Sequence, residues 1–396
     1  MVFDIFFDLF TVISLTFRQY HSKVFLVFPP VMCYHVERLK ERSELSMMKK
    51  VLSTFLAITL FAVSLTGCSN KQEPEASQTP APAVTQAPAS EDPATETEVS
   101  VMALKGPTAM GMVKLMNDAE AGPVDGSSYS FFIAAAVDEV TPAIVQGKVD
   151  IAAVPANLAS VLYNNTEGKV KVLAINTLGI LYIVENGDSI TSVADLKGKT
   201  IYASGKGATP EYALNYILTQ NGINPETDVT IEWKSEHTEC LSAVASEENG
   251  IALLPQPFVT TAQMKSENLR VALDLNKEWD KLQAGEETAS AMLTGVVVAR
   301  ADFIEEHPDA VVSFLKQYKQ SVAFTNENLE DSSALIEKYD IVPAAVAKKA
   351  VPACNITCIT GTEMKDKLSG YLSVLFEQNP KAVGGALPAD DFYYQP

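Results

Sequence analysis

Positive charge is scarce in this chain. Its 396 residues include 30 lysines and arginines against 49 aspartates and glutamates, which gives a formal net charge of -19. Proteins that bind nucleic acid or adhere to anionic lipid need a basic face, so both functions are disfavoured. Histidine occurs only four times, and neither Gly-x-Ser-x-Gly nor His-Glu-x-x-His is present. The sequence therefore lacks these hydrolase signatures, and we expect neither a cofactor nor a metal.

Cysteine is also infrequent, with five residues in total. Only Cys240, Cys354 and Cys358 lie in the part of the sequence that has the composition of a folded domain. They are too few for a structural zinc site, which uses four ligands. The spacing of Cys354 and Cys358 would allow a small disulfide outside the cytoplasm, and two buried thiols are the alternative. The sequence leaves this choice open.

The N-terminal region has the pattern of a sorting signal. Residues 47–50 are Met-Met-Lys-Lys, residues 51–65 are apolar and uncharged, and the run ends in Leu65-Thr66-Gly67-Cys68. This pattern resembles a bacterial lipoprotein signal peptide spanning 47–67, with Cys68 lipidated as the first mature residue. An ordinary anchor helix is the alternative. Residues 1–46 would then precede the signal, and we expect them to be an upstream extension whose translation is unsettled.

Residues 68–97 are rich in proline, alanine, threonine and glutamate. Such a composition cannot bury enough apolar surface to order itself, so we expect a disordered tether. Proline-rich segments rise ~3 Å per residue, which would hold a following domain tens of ångströms from a membrane.

Strand-like apolar runs alternate with helical patterns after residue 98, which predicts an α/β fold with parallel sheet. The alternation restarts near residue 184 and an apolar, β-branched run returns near residue 297. We therefore predict a first lobe at 98–183, a second lobe at 184–297, and a return to the first lobe with C-terminal helices at 298–396. About 300 residues are appropriate for such a two-lobed domain.

Candidate ligand contacts follow the carboxyl ends of the predicted strands, where α/β sheets bind ligands. Gly106-Pro107-Thr108 and Gly207-Ala208-Thr209 each precede a predicted helix, whose first N–H groups could bind a small polar ligand. Helix capping by the threonines is the alternative. The full candidate set is Gly106, Thr108, Ala109, Met110, Asn157, Thr177, Gly207, Ala208, Thr209 and Gln256.

One histidine has acidic neighbours. His237 lies beside Glu236 and close to Glu239, a combination that occurs in metal and acid–base sites. No second histidine lies near His237 in the sequence, and a structural zinc site uses four ligands. We therefore predict a solvated loop at His237 and no catalytic residue in the chain.

Four segments, in order, resemble the substrate-binding lipoproteins of ABC importers of the nitrate/sulfonate/taurine and thiamine-precursor type. They are Gly106-Pro107-Thr108, the run from Gln146 through Asn157, the run from Val193 to Lys199, and the run from Phe303 to Pro308. The resemblance covers about residues 98–396 and implies a type II periplasmic-binding-protein fold with two crossover strands.

The resemblance also implies a function without chemistry. A monomer anchored through Cys68 to the extracytoplasmic face of the cell membrane would capture a sulfonate-like or nitrate-like anion, or a thiamine-pyrimidine-like compound. It would deliver that ligand to an ABC permease and ATPase, and would bind no nucleic acid. The alternatives are a lipid-anchored sensor or adhesin, or an enzyme of the same fold from menaquinone or thiamine-pyrimidine synthesis. Ligand identity and the type of bacterial envelope stay open.

Overall fold

The computed structural model describes residues 96–284 and 290–395. The predictions for the signal peptide, Cys68 and most of the tether lie outside these residues. The strands are β1 Thr97–Leu104, β2 Ser127–Ala134, β3 Ile151–Pro155, β4 Val170–Leu178, β5 Leu181–Asn186, β6 Thr200–Ser204, β7 Thr230–Lys234, β8 Ile251–Pro255, β9 Leu269–Asp274, β10 Leu293–Arg300 and β11 Ile356–Ile359.

The α-helices in the same residues alternate with these strands in the first two thirds of the fold and dominate its last third. They are α1 Pro107–Met110, α2 Val113–Ala119, α3 Val137–Val145, α4 Ala156–Asn165, α5 Thr209–Gln220, α6 His237–Ser246, α7 Phe258–Lys265, α8 Leu275–Gln283, α9 Ala301–Glu306, α10 Pro308–Glu327, α11 Leu329–Lys338, α12 Ala344–Ala350 and α13 Gly361–Gln378. None of the helices in the described residues is both long and apolar enough to cross a membrane.

Two sheets organise the fold. The six-stranded sheet has the order β11-β4-β10-β3-β1-β2, and the five-stranded sheet has the order β7-β6-β8-β5-β9. We call the parts of the chain built on them the first and second lobes. Both sheets are mixed, whereas we predicted parallel sheet. The antiparallel strands are β10, which runs against both of its neighbours in the first sheet, and β5, which does the same in the second.

The chain crosses between the sheets twice, and we call the crossing from β4 to β5 the first passage and the return from β9 to β10 the second. At both passages it changes sheets earlier than the sequence indicates. β4 ends at Leu178 in the first sheet and β5 begins at Leu181 in the second, whereas we expected the first lobe to extend to residue 183. The return strand β10 is in the first sheet from Leu293, four residues before the expected boundary at 297. Apolar strands bury both faces in either sheet, so hydrophobicity alone does not locate the passage.

Helix α13 joins the packing of the two lobes. Its buried residues Leu368, Tyr371 and Leu372 belong to one apolar cluster with residues of both sheets and with Trp279 of α8. A second cluster, on the other face of the first sheet, includes Phe314 and Tyr318 of α10. Cys240, Cys354 and Cys358 are free thiols in this structure, and burial raises the pKa of Cys354 to about 12.

Candidate functional site

The carboxyl ends of the central strands in both sheets lie beside the two passages between the lobes. In the first sheet, β1 and β3 are parallel, and β4 has the same direction because both β3 and β4 are antiparallel to β10. Their carboxyl ends therefore share the edge at which β4 leaves the sheet. In the second sheet, Pro255 at the end of β8 pairs with Leu181 at the start of β5. The two edges meet at the first passage.

Each of these edges contains a topological switch point. β1 has β2 on one side and β3 on the other, and β6 has β7 on one side and β8 on the other. Connections that leave such a pair of strands on opposite sides open a crevice, where α/β proteins bind ligands. Nine of the ten candidate residues lie in the loops or first helical turns that follow β1, β3, β6 and β8, and Thr177 lies near the end of β4. The structure thus brings the candidate loops to the region between the lobes.

The first-lobe loop from Gly106 to Gly111 is largely internal. Gly106 precedes α1 with φ at 122°, a backbone conformation that favours glycine. Thr108 is 7 % exposed, and its hydroxyl donates to the carbonyl oxygen of Leu104 at 2.7 Å. The side chain therefore fastens the loop to its own strand. Helix α1 has only four residues, so it presents far fewer aligned peptide groups than a full helix.

Two further candidates of this loop, Ala109 and Met110, are fully buried in the apolar cluster that contains α10. Their side chains have a packing role, which leaves only their backbone for a ligand. Asn157 lies in the first turn of α4, and its Nδ2 donates to the carbonyl oxygen of Ala382 at 3.2 Å. Its amide therefore binds the C-terminal segment in this structure.

Thr177 differs from these residues because its hydroxyl is buried and has no hydrogen-bond partner among the described residues. The ladder between β4 and β10 is irregular here, because Thr177 pairs with Gly295 and Ile175 pairs with Val296, which leaves Asn176 as an extra residue. Asn176 Nδ2 donates to the carbonyl oxygen of Thr108 at 3.1 Å. The end of β4 thus supports the first-lobe loop through Asn176 and has an unpaired hydroxyl at Thr177.

The second-lobe loop from Gly205 to Thr209 is more exposed. Gly205 has φ at 84°, and a Cβ there would lie 2.9 Å from the Pro210 ring. The N–H of Gly207 donates to Glu211 Oε2 at 2.6 Å, so the loop is occupied by a carboxylate of the chain. Helix capping by Thr209 was the alternative to ligand contact, but α5 begins at Thr209 itself, and its Oγ1 accepts from the hydroxyl of Tyr371 at 3.1 Å.

Gln256 follows β8 directly. Its N–H donates to the carbonyl oxygen of Ile180 in the first passage at 3.0 Å. Its Oε1 accepts from Thr260 Oγ1 at 2.9 Å, which supports the first turn of α7. Gln256 therefore links the carboxyl edge of the second sheet to the chain that joins the lobes.

A serine–histidine pair at the second edge was not among the candidates. Ser204 ends β6, and its Oγ lies 2.5 Å from His237 Nδ1 at the start of α6. The imidazole packs on Phe258, which begins α7, with ring centroids 4.9 Å apart. His237 is thus a half-buried residue and not the solvated loop we predicted. Burial lowers its pKa, and the nearby Glu236 opposes that shift.

The position of His237 is indicated by the sequence around it. Trp233 and Lys234 end a strand, and His237 opens the following helix, so it occupies the same kind of strand-to-helix position as Thr108. Its hydrogen-bond partner Ser204 ends the preceding strand, 33 residues earlier. Neighbouring strand ends in one sheet therefore bring the two together.

Arginine does not contribute to either edge. Arg270 donates to Glu185, a buried carboxylate, and Arg300 donates to Asp302 at 2.9 Å. The described residues contain no other arginine. A cavity of about 760 Å³ does adjoin Arg300 and Lys169. It lies where β4 begins, opposite the edge with the candidate loops, and we do not assign the ligand to it.

Known proteins resemble this chain in sequence and in fold. The family model described as "ABC transporter, phosphonate, periplasmic substrate-binding protein" matches residues 124–350, more than half of the chain. A putative binding protein of Brucella abortus is 26% identical over 180 residues, which are 45% of this chain and 52% of that protein. The chain thus spans about half the length of the curated relatives it matches.

Solved structures share the fold. An ABC transporter protein from Parabacteroides distasonis has a TM-score of 0.64 at 24% identity, over 76% of this chain and 99% of that one. The periplasmic aliphatic sulphonate-binding protein SsuA from Escherichia coli has a TM-score of 0.61 at 19% identity, over 76% and 92%. The matched family model and the two-sheet fold together show that this chain belongs to the phosphonate family of ABC-transporter periplasmic substrate-binding proteins.

Proposed function

We propose that this protein captures a small oxyanion, such as a phosphonate, a sulfonate or nitrate, between its two lobes and delivers it to an ABC permease and ATPase. The observation that supports this function best is the meeting of the two carboxyl edges at the first passage, where Pro255 pairs with Leu181. A ligand held there touches both lobes, so it can stabilise a closed form that the permease recognises.

The polar groups at these edges can bind an oxyanion without the help of an arginine guanidinium. Thr177 offers a buried hydroxyl without a partner, and Ser204 and His237 offer a hydroxyl and an imidazole at the facing edge. A protonated imidazole or a hydroxyl can donate to a phosphonate or sulfonate oxygen. Because both arginines of the described residues are in ion pairs elsewhere, we assign the recognition of charge to His237 and to backbone N–H groups.

A thermal-shift panel tests the ligand class. The purified protein is heated with methylphosphonate, methanesulfonate, taurine, nitrate or an aminopyrimidine, each at increasing concentration. A ligand at 100 times its Kd adds ~2.7 kcal/mol, which for a domain of this size raises Tm by roughly 4 °C. We expect an oxyanion to give this shift and to be recovered chemically unchanged. A shift with the aminopyrimidine alone would contradict the oxyanion class, and conversion of the ligand would favour the enzyme alternative.

We also propose that Cys68 anchors the protein to the extracytoplasmic face of the membrane through a lipid. The support is the lipobox-like sequence and the proline-rich segment after it. Mass spectrometry of the mature N-terminal peptide from the native bacterium tests this. We expect a diacylated peptide beginning at Cys68, and peptides from residues 1–46 would contradict the proposed start. A mature N-terminal peptide that begins at Cys68 without acyl chains would contradict the lipid anchor.

A further inference from the structure

The hydroxyl of Thr209 in the second-lobe loop is bonded to a residue that is distant in sequence. Tyr371 of α13 donates to Thr209 Oγ1 at 3.1 Å, and Tyr371 itself is fully buried. Helix α13 packs against β4 and α4 of the first lobe as well as against α5 of the second. One phenol therefore joins the loop proposed to face the ligand to a helix that packs on the opposite lobe.

Tyr371 is in turn fixed by an aromatic stack. Its ring packs on Trp279 of α8 at 5.8 Å, and Trp279 packs on Tyr216 of α5 at 4.5 Å. Trp279 is fully buried. Aromatic rings packed in this way have few alternative rotamers, so the phenol oxygen has a fixed position relative to α5 and α8.

A buried polar network connects this stack to the second passage between the lobes. Trp279 Nε1 donates to Ser290 Oγ at 3.0 Å, and the N–H and Oγ of Ser290 both donate to Gln283 Oε1. Gln283 Nε2 donates to the hydroxyl of Tyr216 at 2.6 Å. Ser290 lies just before β10, on the segment that returns to the first lobe. Gly370 allows this approach, because a Cβ there would lie 2.9 Å from the Ser290 Cβ.

We infer that Tyr371 is a positioning residue that holds the Gly205–Thr209 loop and couples it, through Trp279, Gln283 and Ser290, to the second passage. This inference rests on the proposed function, since it gives the loop its purpose. It also changes the role of Thr209, whose hydroxyl anchors the loop and does not contact the ligand. A change in the second passage when the lobes close around a ligand would then move the loop.

Tyr371→Phe tests the anchor in the full-length protein because it removes one hydroxyl and keeps the ring. Without ligand, we expect amide hydrogen exchange in residues 205–209 to accelerate severalfold, because the loop opens more often when its anchor is lost. Tyr129→Phe is the matched control, since it also removes one buried tyrosine hydroxyl but from β2, an edge strand of the first sheet. Equal exchange in the two variants would overturn the inference, whatever the ligand is.

Binding of methylphosphonate supplies the second readout. We expect Tyr371→Phe and Thr209→Val each to weaken binding about fivefold, a typical effect of one hydrogen bond, and the double variant to be no weaker than either single one. Additive losses would show that Thr209 contacts the ligand directly and would overturn the anchor. If the wild-type protein does not bind methylphosphonate, that ligand is wrong, while the exchange measurement still decides the inference.

The two tryptophans of the chain allow coupling to be measured. In a Trp233→Phe background, Trp279 alone reports on the network. We expect its emission to change when methylphosphonate binds, and Tyr371→Phe to reduce that change while Tyr129→Phe preserves it. An unchanged Trp279 response in the Tyr371→Phe protein would contradict the coupling to the second passage.

Discussion

The loops that follow β1 and β6 look alike in sequence but have different roles in the structure. Each combines glycine, proline and threonine before a helix. In the first loop, Thr108 is buried and bonded to its own strand, and Ala109 is part of the core. In the second loop, Gly207 is exposed and its N–H meets the carboxylate of Glu211. The first loop is therefore a packed wall, and the second is a surface that can meet a ligand.

The same difference applies to the residues around the loops. At the first edge, Asn157 and Asn176 use their amides to hold other parts of the first lobe. At the second edge, Ser204 and His237 bond to each other and remain at the strand ends. The two asparagine amides would lose their bonds to the backbone if they turned to a ligand. The Ser204 hydroxyl and the His237 imidazole can bond to each other and also to a ligand. We therefore expect the second lobe to determine which anion binds.

The largest effect is expected where the first loop meets β10. A Cβ on Gly295 would lie 2.5 Å from both Asn176 Oδ1 and Thr108 Cγ2, so Gly295→Ala forces the packed loop to move. We expect the free energy of unfolding to fall by about 3 kcal/mol. Gly207→Ala in the second loop meets no atom within 4 Å and costs only the backbone strain of its φ of 78°, about 1 kcal/mol.

Urea unfolding of both glycine variants measures this difference through the transition midpoint at constant m. If the two variants lose the same stability, the contrast between a packed first loop and an open second loop is wrong.

The next effect concerns affinity. His237→Gln retains a polar side chain but cannot carry the positive charge of an imidazolium, so we expect binding of the oxyanion from the panel to weaken about tenfold, or ~1.4 kcal/mol. Thr108→Val removes only the bond to Leu104, and we expect a loss of about 1 kcal/mol in stability with less than a threefold change in affinity. Isothermal titration calorimetry and urea unfolding separate the two quantities. A larger affinity loss in Thr108→Val would make the first loop the specificity surface.

The sequence predicted the fold class and the strand ends that meet between the lobes, because alternating strands and helices dictate an α/β fold. It did not predict α7, β9, α8 or β11. β9 and α8 follow each other without a loop, with Asp274 ending one and capping the other, and β11 has only four residues. Short or directly joined elements give weak periodic signals.

The roles of individual residues were less accessible from sequence. Thr209 looked like a helix cap, and only the position of Tyr371, 162 residues later, shows that its hydroxyl is bonded across the fold. Similarly, a histidine between glutamates suggested a solvated loop, whereas the sheet places His237 against Ser204 and Phe258. Local patterns report which backbone a residue adopts, but partners distant in sequence decide what its side chain does.

A smaller effect is expected from pH. Burial lowers the pKa of His237 in the folded protein, so its neutral form is the one that folding favours. Stability from this residue is therefore present above the unfolded pKa of about 6.5 and declines as pH falls through the folded pKa. Oxyanion binding should change in the opposite direction and strengthen as pH falls, because a protonated imidazole attracts the anion. Titration calorimetry from pH 8 to 5.5 on wild-type and His237→Gln protein tests this, and parallel pH profiles would exclude His237 from anion binding.

The smallest change in affinity should come from Glu211. Because of its carboxylate, the second loop is not a preformed anion site. Its carboxylate accepts the Gly207 N–H and stands at the N-terminus of α5, where it repels an incoming anion. Glu211→Gln retains an acceptor of the same shape without the charge. We expect oxyanion affinity to rise about twofold to threefold, with a loss of about 0.5 kcal/mol in stability.

Asp195→Asn is the control, since Asp195 also accepts backbone N–H groups but precedes β6 at the other edge. If affinity falls in Glu211→Gln, the carboxylate binds a cationic group of the ligand, and the second lobe selects a zwitterion instead of a simple anion.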